Sequence, residues 1–284
     1  MGLIEISRNG RAFLVDEATD RSYRDIDDAI HPSFWQEYKN GDWEPETFLA
    51  FERFLTSDHV FVDLGAWIGP TAIYAAQIAK HVFAFEPDPV ALDALEKNVA
   101  ANPDLASRIT IFPLALGDDN GKITLYNDNF GSSETSIFDL HKRGGSVRKI
   151  TGNFNAEAVD SLAVMKMLCS LRNVFIKCDI EGAEYSLLDR SFRLLSVVKP
   201  SILISHHVEN LNIRGNVKFD LFRKKIMNMR LLEFLQRFDE VYQFSVDSWT
   251  PYSWDLAVND LQSEKGIPSP LFIRGAYDNE LSSG

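Results

Sequence analysis

Short apolar runs alternate along the chain with longer stretches whose apolar residues recur at helical spacing. The predicted strands are residues 59–65 (HVFVDLG), 81–87 (HVFAFEP), 109–117 (ITIFPLALG), 121–128 (GKITLYND), 173–182 (NVFIKCDIEG) and 200–208 (PSILISHHV). The predicted helices are residues 43–55, 70–80, 89–102, 157–168, 183–198 and 217–237. A long loop is predicted over residues 128–156, which are rich in Gly, Ser and Asn.

This alternation predicts an α/β protein with a mostly parallel sheet and helices on both of its faces. Ligands bind such sheets at the carboxyl ends of the strands, close to the point where the strand order reverses. Polar residues stand at or just past several predicted strand ends: Asp63, Glu86, Asp118, Asp179, His206 and His207. We therefore expect these side chains to line one edge of the sheet and to form a ligand site there.

Composition narrows the class of protein. The 284 residues are 45% hydrophobic, and 29 basic against 41 acidic residues give a net charge of −12 and a pI of about 5.0. This charge disfavours nucleic acid and anionic membranes as partners, and no apolar run approaches the roughly 18 residues of a membrane span. Cys169 and Cys178 show no disulfide or metal spacing, and the N-terminus shows no secretion signal. A cytoplasmic location is the expectation.

The stretch FVDLGAWIGPTAIYAA, residues 61–76, joins a strand to a helix through a glycine turn. A dinucleotide-binding turn needs Gly-x-Gly-x-x-Gly, so that the backbone can approach a pyrophosphate. Counted from Gly65, the later glycine positions hold Trp67 and Pro70. Asp63, just before the turn, would also repel a pyrophosphate. An NAD-dependent dehydrogenase is therefore disfavoured.

S-adenosylmethionine fits this turn better, because it carries no phosphate. Its carboxylate suits the N–H groups of a glycine turn, and its ammonium suits the carboxylate of Asp63. Glu86, at the end of the next predicted strand, suits both ribose hydroxyls, since a carboxylate accepts several hydrogen bonds. The alternative is that Asp63 and Glu86 only cap loops, but the order of strand, turn, helix, strand and acid favours a cofactor site.

Four segments resemble the FkbM-type family of S-adenosylmethionine-dependent methyltransferases: FVDLGAWIGPTAIYAA, FAFEPDP, ALGDDNGKITLY and FIKCDIEGAEYSLL. The similarity covers roughly residues 43–205, and IKCDIEGAE is its most specific element. It implies the Rossmann-like methyltransferase fold, a seven-stranded sheet with six parallel strands and a reversed seventh, and it implies O-methylation. The chain departs from the family pattern at Trp67 and Pro70, and its C-terminal region matches only loosely.

The resemblance also implies cofactor contacts. Asp63, Gly65, Ala66 and Gly69 would form the methionine-binding turn. Glu86 would bind the ribose. Ala115 and Asp118 would border the adenine. Asp118 lies in GDDNG, itself a strong turn sequence, so a purely local role is an open alternative. Residues 1–55 are expected to form an N-terminal segment with a helix that leads into the domain. Residues 56–284 are expected to form the methyltransferase domain, with a C-terminal region that faces the acceptor.

Asp179, at the end of its predicted strand, is expected near the transferred methyl group, where it would position the acceptor. Strand parity puts Lys177 on the same side, where the two side chains would pair. Strand parity is expected to put His206 and His207 on opposite sides, and His207, further out on the edge, is the candidate base for the acceptor hydroxyl. The alternative is that both histidines are structural. The alternative is a divalent cation held by Asp179, Glu181 and a histidine. Since no tight ligand motif is present, the site is predicted to need no metal.

The expected activity is therefore S-adenosylmethionine-dependent O-methylation of a small molecule, a sugar or a glycan. A base-modifying amino-methyltransferase would show Asn/Asp-Pro-Pro-Tyr/Phe where this chain has CDIEGAE. A non-catalytic S-adenosylmethionine-binding protein, or one with N-methyl specificity, stays open because fold does not fix function. The aromatic residues within 249–254 either stack on a sugar or belong to the core, and helix 217–237 either covers the sheet or forms a homodimer face.

Overall fold

A computed structural model describes residues 2–20, 33–127, 133, 135–143, 146–207, 217–262 and 266–275. The strands in these ranges are β1 (Leu3–Arg8), β2 (Arg11–Asp16), β3 (Val60–Leu64), β4 (His81–Phe85), β5 (Ile109–Phe112), β6 (Ala115–Gly117), β7 (Gly121–Tyr126), β8 (Leu140–Arg143), β9 (Ser146–Lys149), β10 (Asn153–Asp160), β11 (Val174–Cys178), β12 (Ser201–Ile204), β13 (Glu240–Ser245), β14 (Ser248–Pro251) and β15 (Leu271–Arg274). The helices are α1 (Phe34–Asn40), α2 (Pro45–Phe54), α3 (Pro70–Ala76), α4 (Pro89–Ala100), α5 (Pro103–Ala106), α6 (Ser161–Cys169), α7 (Glu184–Val198), α8 (Val217–Leu235) and α9 (Trp254–Gln262), with a 3-10 turn at Glu17–Thr19.

Eight of these strands form one sheet in the order β14-β13-β15-β12-β11-β3-β4-β5. Strands β5, β4, β3, β11 and β12 are parallel neighbours. Strand β15 is antiparallel to both β12 and β13, so β13 runs in the direction of the parallel set. The sheet therefore contains the six parallel strands and reversed seventh expected of a Rossmann-like methyltransferase.

The sheet has eight strands rather than the seven expected, because β14 adds a strand at its edge. It pairs antiparallel with β13, with Ser245 opposite Ser248. The two connecting residues, Val246 and Asp247, have φ values of 47° and 62°. A two-residue type I′ hairpin turn needs positive φ at both of its central residues. Valine is uncommon in that conformation, which is why the sequence pattern does not reveal the hairpin.

The two faces of the sheet carry separate hydrophobic clusters, because successive strand residues point to opposite faces. On β3, Phe61 packs into one cluster, whereas Val62 and Leu64 pack into the other. On the adjacent β11, Phe175 and Ile176 divide in the same way. Burial on both faces explains the continuous apolar runs from which these strands are predicted.

The N-terminal elements pack on the face of the sheet to which Phe61 points. Phe13 of β2, Trp35 of α1 and Phe51 of α2 belong to the same buried cluster as Phe61. The described elements before residue 56 thus share a core with the sheet. The proposed boundary between residues 1–55 and 56–284 stays a prediction.

The run at 109–117, predicted as one strand, is divided at Pro113. Strand β5 before it belongs to the large sheet, whereas β6 after it pairs with β10 in a three-stranded sheet that β7 completes. Proline has no N–H to donate to a strand ladder, so the pairing changes there. The break turns Ala115 away from the large sheet and into a smaller one.

The helix predicted from Glu157 begins only at Ser161. Its predicted first turn belongs to β10, which pairs antiparallel with β7, and Asp160 caps the helix by accepting the Leu162 N–H at 3.0 Å. The predicted loop over 128–156 is also partly wrong, since it contains β8, β9 and the start of β10. Residues 128–132, 134, 144 and 145 of that predicted loop lie outside the described residues.

The aromatic residues of the C-terminal loop belong mostly to the core. Trp249 and Tyr252 are buried, whereas Trp254 is exposed. The Trp249 Nε1–H donates to the Glu46 carbonyl oxygen at 3.0 Å, and the Tyr252 hydroxyl donates to Asp260 at 2.9 Å. These bonds favour the structural alternative over a sugar-stacking lid. Across the described ranges, α8 included, no helix has both the length and the apolar character needed to cross a membrane.

Candidate cofactor and active site

A cavity opens at the carboxyl ends of β3, β4 and β11, the edge of the sheet where the sequence predicts a ligand site. Its volume is about 330 Å³, a size usual for small-molecule sites. Among the predicted site residues, those that line it are Gly65, Ala66, Glu86, Ala115, Asp179 and His207. The described residues Asp63, Gly69 and Asp118 do not line it. The structure therefore brings most of the predicted site together and leaves three residues outside its surface.

Glycine is required in the turn after β3 for steric reasons. Gly65 and Gly69 have φ values of 85° and 96°, in the left-handed region that glycine adopts without strain. A Cβ on Gly65 would overlap the carbonyl oxygen of Asp179, and a Cβ on Gly69 would lie 2.7 Å from Leu95 Cδ1. The turn therefore lets the ends of β3 and β11 approach each other, and Gly69 acts through packing behind the cavity.

The N–H groups of this turn are already bonded within the chain. Gly65 and Ala66 both donate to the Phe85 carbonyl oxygen, at 3.1 and 3.0 Å, and the Trp67 N–H donates to Glu86 Oε2 at 2.8 Å. These bonds tie the turn to β4, as buried N–H groups require a partner. The expectation that the N–H groups of Gly65 and Ala66 hold a methionine carboxylate therefore loses its basis, and the turn contributes space and shape.

Asp63 acts from behind the cavity. Its side chain is fully buried, accepts a hydrogen bond from Thr71 Oγ1 at 2.6 Å, and lies 3.7 Å from Lys177 Nζ. Burial raises the pKa of Asp63, and the Lys177 ammonium opposes that rise. Because Thr71 and Lys177 line the cavity, Asp63 orients two of its walls. The sequence leaves open whether Asp63 favours a ligand ammonium directly or through water, and this placement does not favour the direct contact.

Glu86 presents a carboxylate to the cavity from the end of β4. Its Oε2 accepts the Trp67 N–H and its Oε1 accepts the Asp88 N–H, both at 2.8 Å. Burial raises the pKa of Glu86 to about 7, and the two N–H donors oppose that rise. Each carboxylate oxygen has a second lone pair, so the held side chain can still accept hydrogen bonds from a ligand.

Lys177 and Asp179 pair in the cavity wall, as strand parity predicts. Lys177 Nζ lies 3.4 Å from Asp179 Oδ2 and 3.7 Å from Asp63 Oδ1. Burial alone would lower the pKa of Lys177, but the carboxylates of Asp179, Asp63 and Glu44 outweigh it and raise that pKa. The lysine therefore stays charged, and it faces more than one carboxylate at once.

The two histidines after β12 take different environments, as the parity argument predicts. His206 is buried, with Nδ1 3.1 Å from the Tyr185 hydroxyl and Nε2 2.9 Å from the Pro268 carbonyl oxygen. His207 lines the cavity, and its Nδ1 lies 3.0 Å from Glu184 Oε1. His206 is thus a structural residue, and His207 is the one that reaches the candidate site.

The imidazole of His207 is surrounded by carboxylates. Its Nε2 lies 3.7 Å from Asp179 Oδ1 and 3.6 Å from Glu181 Oε1. Burial alone would lower its pKa, but the hydrogen bond with Glu184 and the charges of Glu181 and Asp179 raise the pKa of His207 to about 10. At neutral pH this ring holds its proton. The expected role of His207 as a neutral base is therefore not supported by its surroundings.

The predicted adenine border is divided between the cavity and the surface. Ala115 lines the cavity, whereas Asp118 is on the surface, where it accepts a hydrogen bond from Ser186 Oγ at 2.8 Å and lies 3.7 Å from Arg190 Nε. The turn GDDNG continues into the antiparallel strand β7, which carries Asp118 away from the large sheet. The local role of Asp118 is the one its contacts favour.

Trp43 and Glu44 line the cavity and were not identified from the sequence, whereas Trp67 and Glu181, which the sequence had already singled out, line it as well. Glu44, Trp67 and Glu181 have left-handed φ values of 41°, 50° and 52°. Non-glycine residues rarely adopt this conformation, and where they do it often marks a ligand site. No composition signal announces such a residue. Trp67 and the glycine after Glu181 were the available hints.

Glu44 adds a further carboxylate to the cavity from the residue before α2. Its Oε2 accepts a hydrogen bond from Thr47 Oγ1 at 3.0 Å. Burial raises the pKa of Glu44 to about 7, while the Lys177 ammonium opposes the rise. Beside it, the rings of Trp43 and Trp67 lie 6.2 Å apart, and Phe34 packs edge-on against Trp67 at 4.5 Å. One wall of the cavity is therefore acidic and aromatic.

Three solved structures illustrate what the chain is similar to. A crystal structure of methyltransferase FkbM from Methylobacillus flagellatus KT is similar at 18% identity and a TM-score of 0.43, over 84% of this chain and 53% of that one. The chain thus spans about half the length of that protein. Precorrin-6y C5,15-methyltransferase from Geobacter metallireducens GS-15 is similar at 14% identity and a TM-score of 0.36, over 81% of this chain and 86% of that one. M. jannaschii TYW2, solved in complex with AdoMet, is similar at 12% identity and a TM-score of 0.38, over 96% and 85% of the two chains.

Sequence comparison gives the family. A search of the curated proteins found no match to the chain. The family described as Methyltransferase FkbM domain matches residues 63–244, which is well over half of the 284 residues. The match begins at Asp63 and includes the glycine turn, Glu86, the segment around Asp179 and both histidines. The chain therefore belongs to the FkbM methyltransferase family.

Proposed function

We propose that the chain is an S-adenosylmethionine-dependent O-methyltransferase that acts on a hydroxyl of a small molecule or carbohydrate. The observation that carries this proposal is the meeting of Glu86 and Asp179 in one cavity, at the ends of β4 and β11, the two strands that flank β3. Glu86 supplies a rigid carboxylate for the ribose hydroxyls. Asp179 supplies a second carboxylate where the acceptor would lie.

The charge of the cavity supports a cationic cofactor. Among the described residues, its lining contains five acidic side chains against two cationic ones, namely Glu44, Glu46, Glu86, Asp179 and Glu181 against Lys177 and His207. Because burial raises the pKa of Glu44 and of Glu86 to about 7, these two are only partly ionised at neutral pH. S-adenosylmethionine carries a sulfonium and an ammonium against one carboxylate, so its net charge is positive. A dinucleotide brings a pyrophosphate, which these carboxylates would repel. The same lining favours a neutral or cationic acceptor over a phosphorylated one.

In the proposed reaction the acceptor oxygen attacks the methyl carbon, the carbon–sulfur bond breaks and a carbon–oxygen bond forms. The sulfonium becomes the thioether of S-adenosylhomocysteine, and the hydroxyl proton leaves to water. Asp179, held by Lys177, accepts a hydrogen bond from the hydroxyl and aims the oxygen. His207 already holds a proton at neutral pH, so we assign it to the binding of the acceptor side of the cavity rather than to proton removal.

Transfer to nitrogen is the second candidate, because the acidic wall with Glu44 and Glu46 also suits an ammonium group. The two candidates share the cofactor and differ in the acceptor. A panel of sugars, nucleotide sugars, small alcohols and amines with a labelled methyl donor separates them. Turnover of hydroxyl compounds supports the proposal, and turnover of amines alone overturns it in favour of N-methylation.

Cofactor binding is tested by calorimetry with S-adenosylhomocysteine. We expect micromolar affinity, and we expect Glu86→Ala to weaken binding by about 1–3 kcal/mol through the loss of charged hydrogen bonds to ribose. Asp118→Ala is the matched control, because that carboxylate lies outside the cavity, and it should bind as the native chain does. Unchanged binding in Glu86→Ala, or no binding at all by the native chain, would refute the assignment.

A further inference from the structure

Four side chains at one end of the cavity form a compact group of metal-ligand types: Asp179, Glu181, Glu184 and His207, here called the carboxylate–imidazole cluster. Among the described residues, one ligand atom each from Asp179, Glu184 and His207 lies within 4.8 Å of the other two. Asp179, Glu181 and His207 line the cavity, whereas Glu184 is fully buried behind them. The cluster is therefore open to the cavity on one side and closed on the other.

The closed side fixes the orientation of the imidazole. Glu184 Oε1 accepts the Ile180 N–H and Oε2 accepts the Gly182 N–H, both at 2.9 Å, so this carboxylate is held by the backbone. Its Oε1 also lies 3.0 Å from His207 Nδ1. Metal-binding histidines commonly give their second ring nitrogen to a carboxylate in this way, which directs the other nitrogen to the ion. His207 Nε2 is the nitrogen left facing the cavity.

The open side has the spacing of a cation site. His207 Nε2 lies 3.7 Å from Asp179 Oδ1 and 3.6 Å from Glu181 Oε1, longer than a hydrogen bond. Two atoms bound to one ion at about 2.0–2.2 Å are separated by roughly 3 to 4 Å, depending on the coordination angle. Both separations fall in that interval. An imidazole nitrogen between two carboxylate oxygens is thus arranged to share an ion with each of them.

Lys177 does not occupy this position. Its Nζ lies 3.4 Å from Asp179 Oδ2, the other oxygen of the same carboxylate. Lys177 is further held by Asp63, 3.7 Å away on the buried side. Asp179 Oδ1 is therefore the oxygen turned toward His207. Three carboxylates around one imidazole also leave a negative charge that a dication would compensate.

We propose that the carboxylate–imidazole cluster binds one divalent transition-metal ion, with Asp179 Oδ1, His207 Nε2 and a Glu181 oxygen as ligands and Glu184 orienting the ring. The ion would displace the proton from His207 Nε2 to water, so that the neutral ring is the ligand. A mixed nitrogen and oxygen set favours Mn²⁺ over Mg²⁺, which prefers oxygen alone. The inference deepens the proposed function, on which its catalytic meaning rests: an acceptor hydroxyl would complete the ion's coordination, lose its proton to water more easily, and be aimed at the methyl group. It replaces the expectation of a metal-independent site.

The test is direct binding of Mn²⁺ alone to the full chain after treatment with EDTA, read from the loss of the free-ion signal in electron paramagnetic resonance. We expect one ion per chain. Asp179→Asn and His207→Gln should each weaken binding about tenfold or more, and Glu184→Gln should weaken it less, through loss of ring orientation. Asp118→Asn, a surface carboxylate, is the matched control and should bind Mn²⁺ as the native chain does.

Calorimetry with S-adenosylhomocysteine on the same samples keeps the two ideas separate. Cofactor binding without Mn²⁺ binding at millimolar ion overturns the metal site and leaves the proposed function standing. Mn²⁺ binding without cofactor binding supports the metal site and overturns the proposed function. Mn²⁺ affinity unchanged in both Asp179→Asn and His207→Gln also overturns the site. If circular dichroism shows that Asp179→Asn does not fold, His207→Gln and Glu181→Gln carry the test.

Discussion

Gly65 lies against the backbone of Asp179 so closely that a Cβ on the glycine would overlap the Asp179 carbonyl oxygen. We therefore expect Gly65→Ala to lower the free energy of unfolding by more than about 3 kcal/mol, since both sterics and a positive φ oppose it. Gly10, with a φ of 77° and nothing within 4 Å of its would-be Cβ, is the matched control. Gly10→Ala should cost only about 1–2 kcal/mol, the conformational part. If urea unfolding shows that both variants lose the same free energy of unfolding, the close approach to Asp179 does not contribute to the effect.

Glu86 makes stability depend on pH. Burial raises the pKa of Glu86 to about 7, above its value of about 4.3 in an unfolded chain. Between these two values the native carboxyl keeps a proton that the unfolded chain has released, so the free energy of unfolding falls as pH rises. Relative to Glu86→Gln, the native chain should lose about 1–3 kcal/mol between pH 5 and pH 8. Urea unfolding at the two pH values measures it, and parallel pH dependences in both chains would contradict the prediction.

Lys177 is buried and lies close to the carboxylates of Asp63 and Asp179. Lys177→Met should lower the free energy of unfolding by about 3–5 kcal/mol, because Asp63 and Asp179 then face each other without a cation. Adding Asp63→Asn to that variant removes the more buried of the two charges, so part of the stability should return. A double-mutant cycle by chemical denaturation checks the coupling. Additive losses would mean that Lys177 and Asp63 do not interact.

Trp249 joins the C-terminal hairpin to the helix that begins beside the cavity. Trp249→Phe removes the hydrogen bond to the Glu46 carbonyl oxygen and should cost about 1 kcal/mol, whereas Trp249→Ala should cost about 3–5 kcal/mol through lost packing. Trp254→Ala is the control, since that ring is exposed, and its effect should stay within about 0.5 kcal/mol. Thermal unfolding ranks the three variants. A large loss of stability in Trp254→Ala would contradict this prediction and would indicate a structural or binding role for that ring.

The parts of the fold that sequence predicts are those with local causes. The β3–α3–β4 unit follows from apolar runs, a glycine turn and Glu86, whose signals all lie within a short stretch. The strand β10 was missed because its alternation is interrupted by a helix-forming sequence, and its pairing with β7 is a tertiary fact. Pro113 marks a break whose consequence, a second sheet, depends on a strand far along the chain.

The candidate site divides in the same way. Asp179 and Glu86 follow strand ends, so their place at the cavity is predictable. Asp63 also follows that rule, yet its short side chain ends at Thr71 and Lys177 behind the wall. Glu44 reaches the cavity from another part of the chain, through a backbone conformation that no residue preference announces. Contacts between distant segments, and the charge of the His207 ring that such segments surround, can be read only from the three-dimensional structure.

The position of β15 has a consequence for synthesis on the ribosome. This strand, Leu271–Arg274, is the last in the described chain, yet it lies between β12 and β13 inside the large sheet. Until it emerges, the β13–β14 hairpin has no neighbour through which to join the parallel strands, and β12 has an open edge. The nascent chain therefore carries an unpaired strand, available to other chains, until residues 271–274 have been translated. The large sheet is therefore completed by insertion of β15 between two strands made earlier rather than by addition of a strand at an edge.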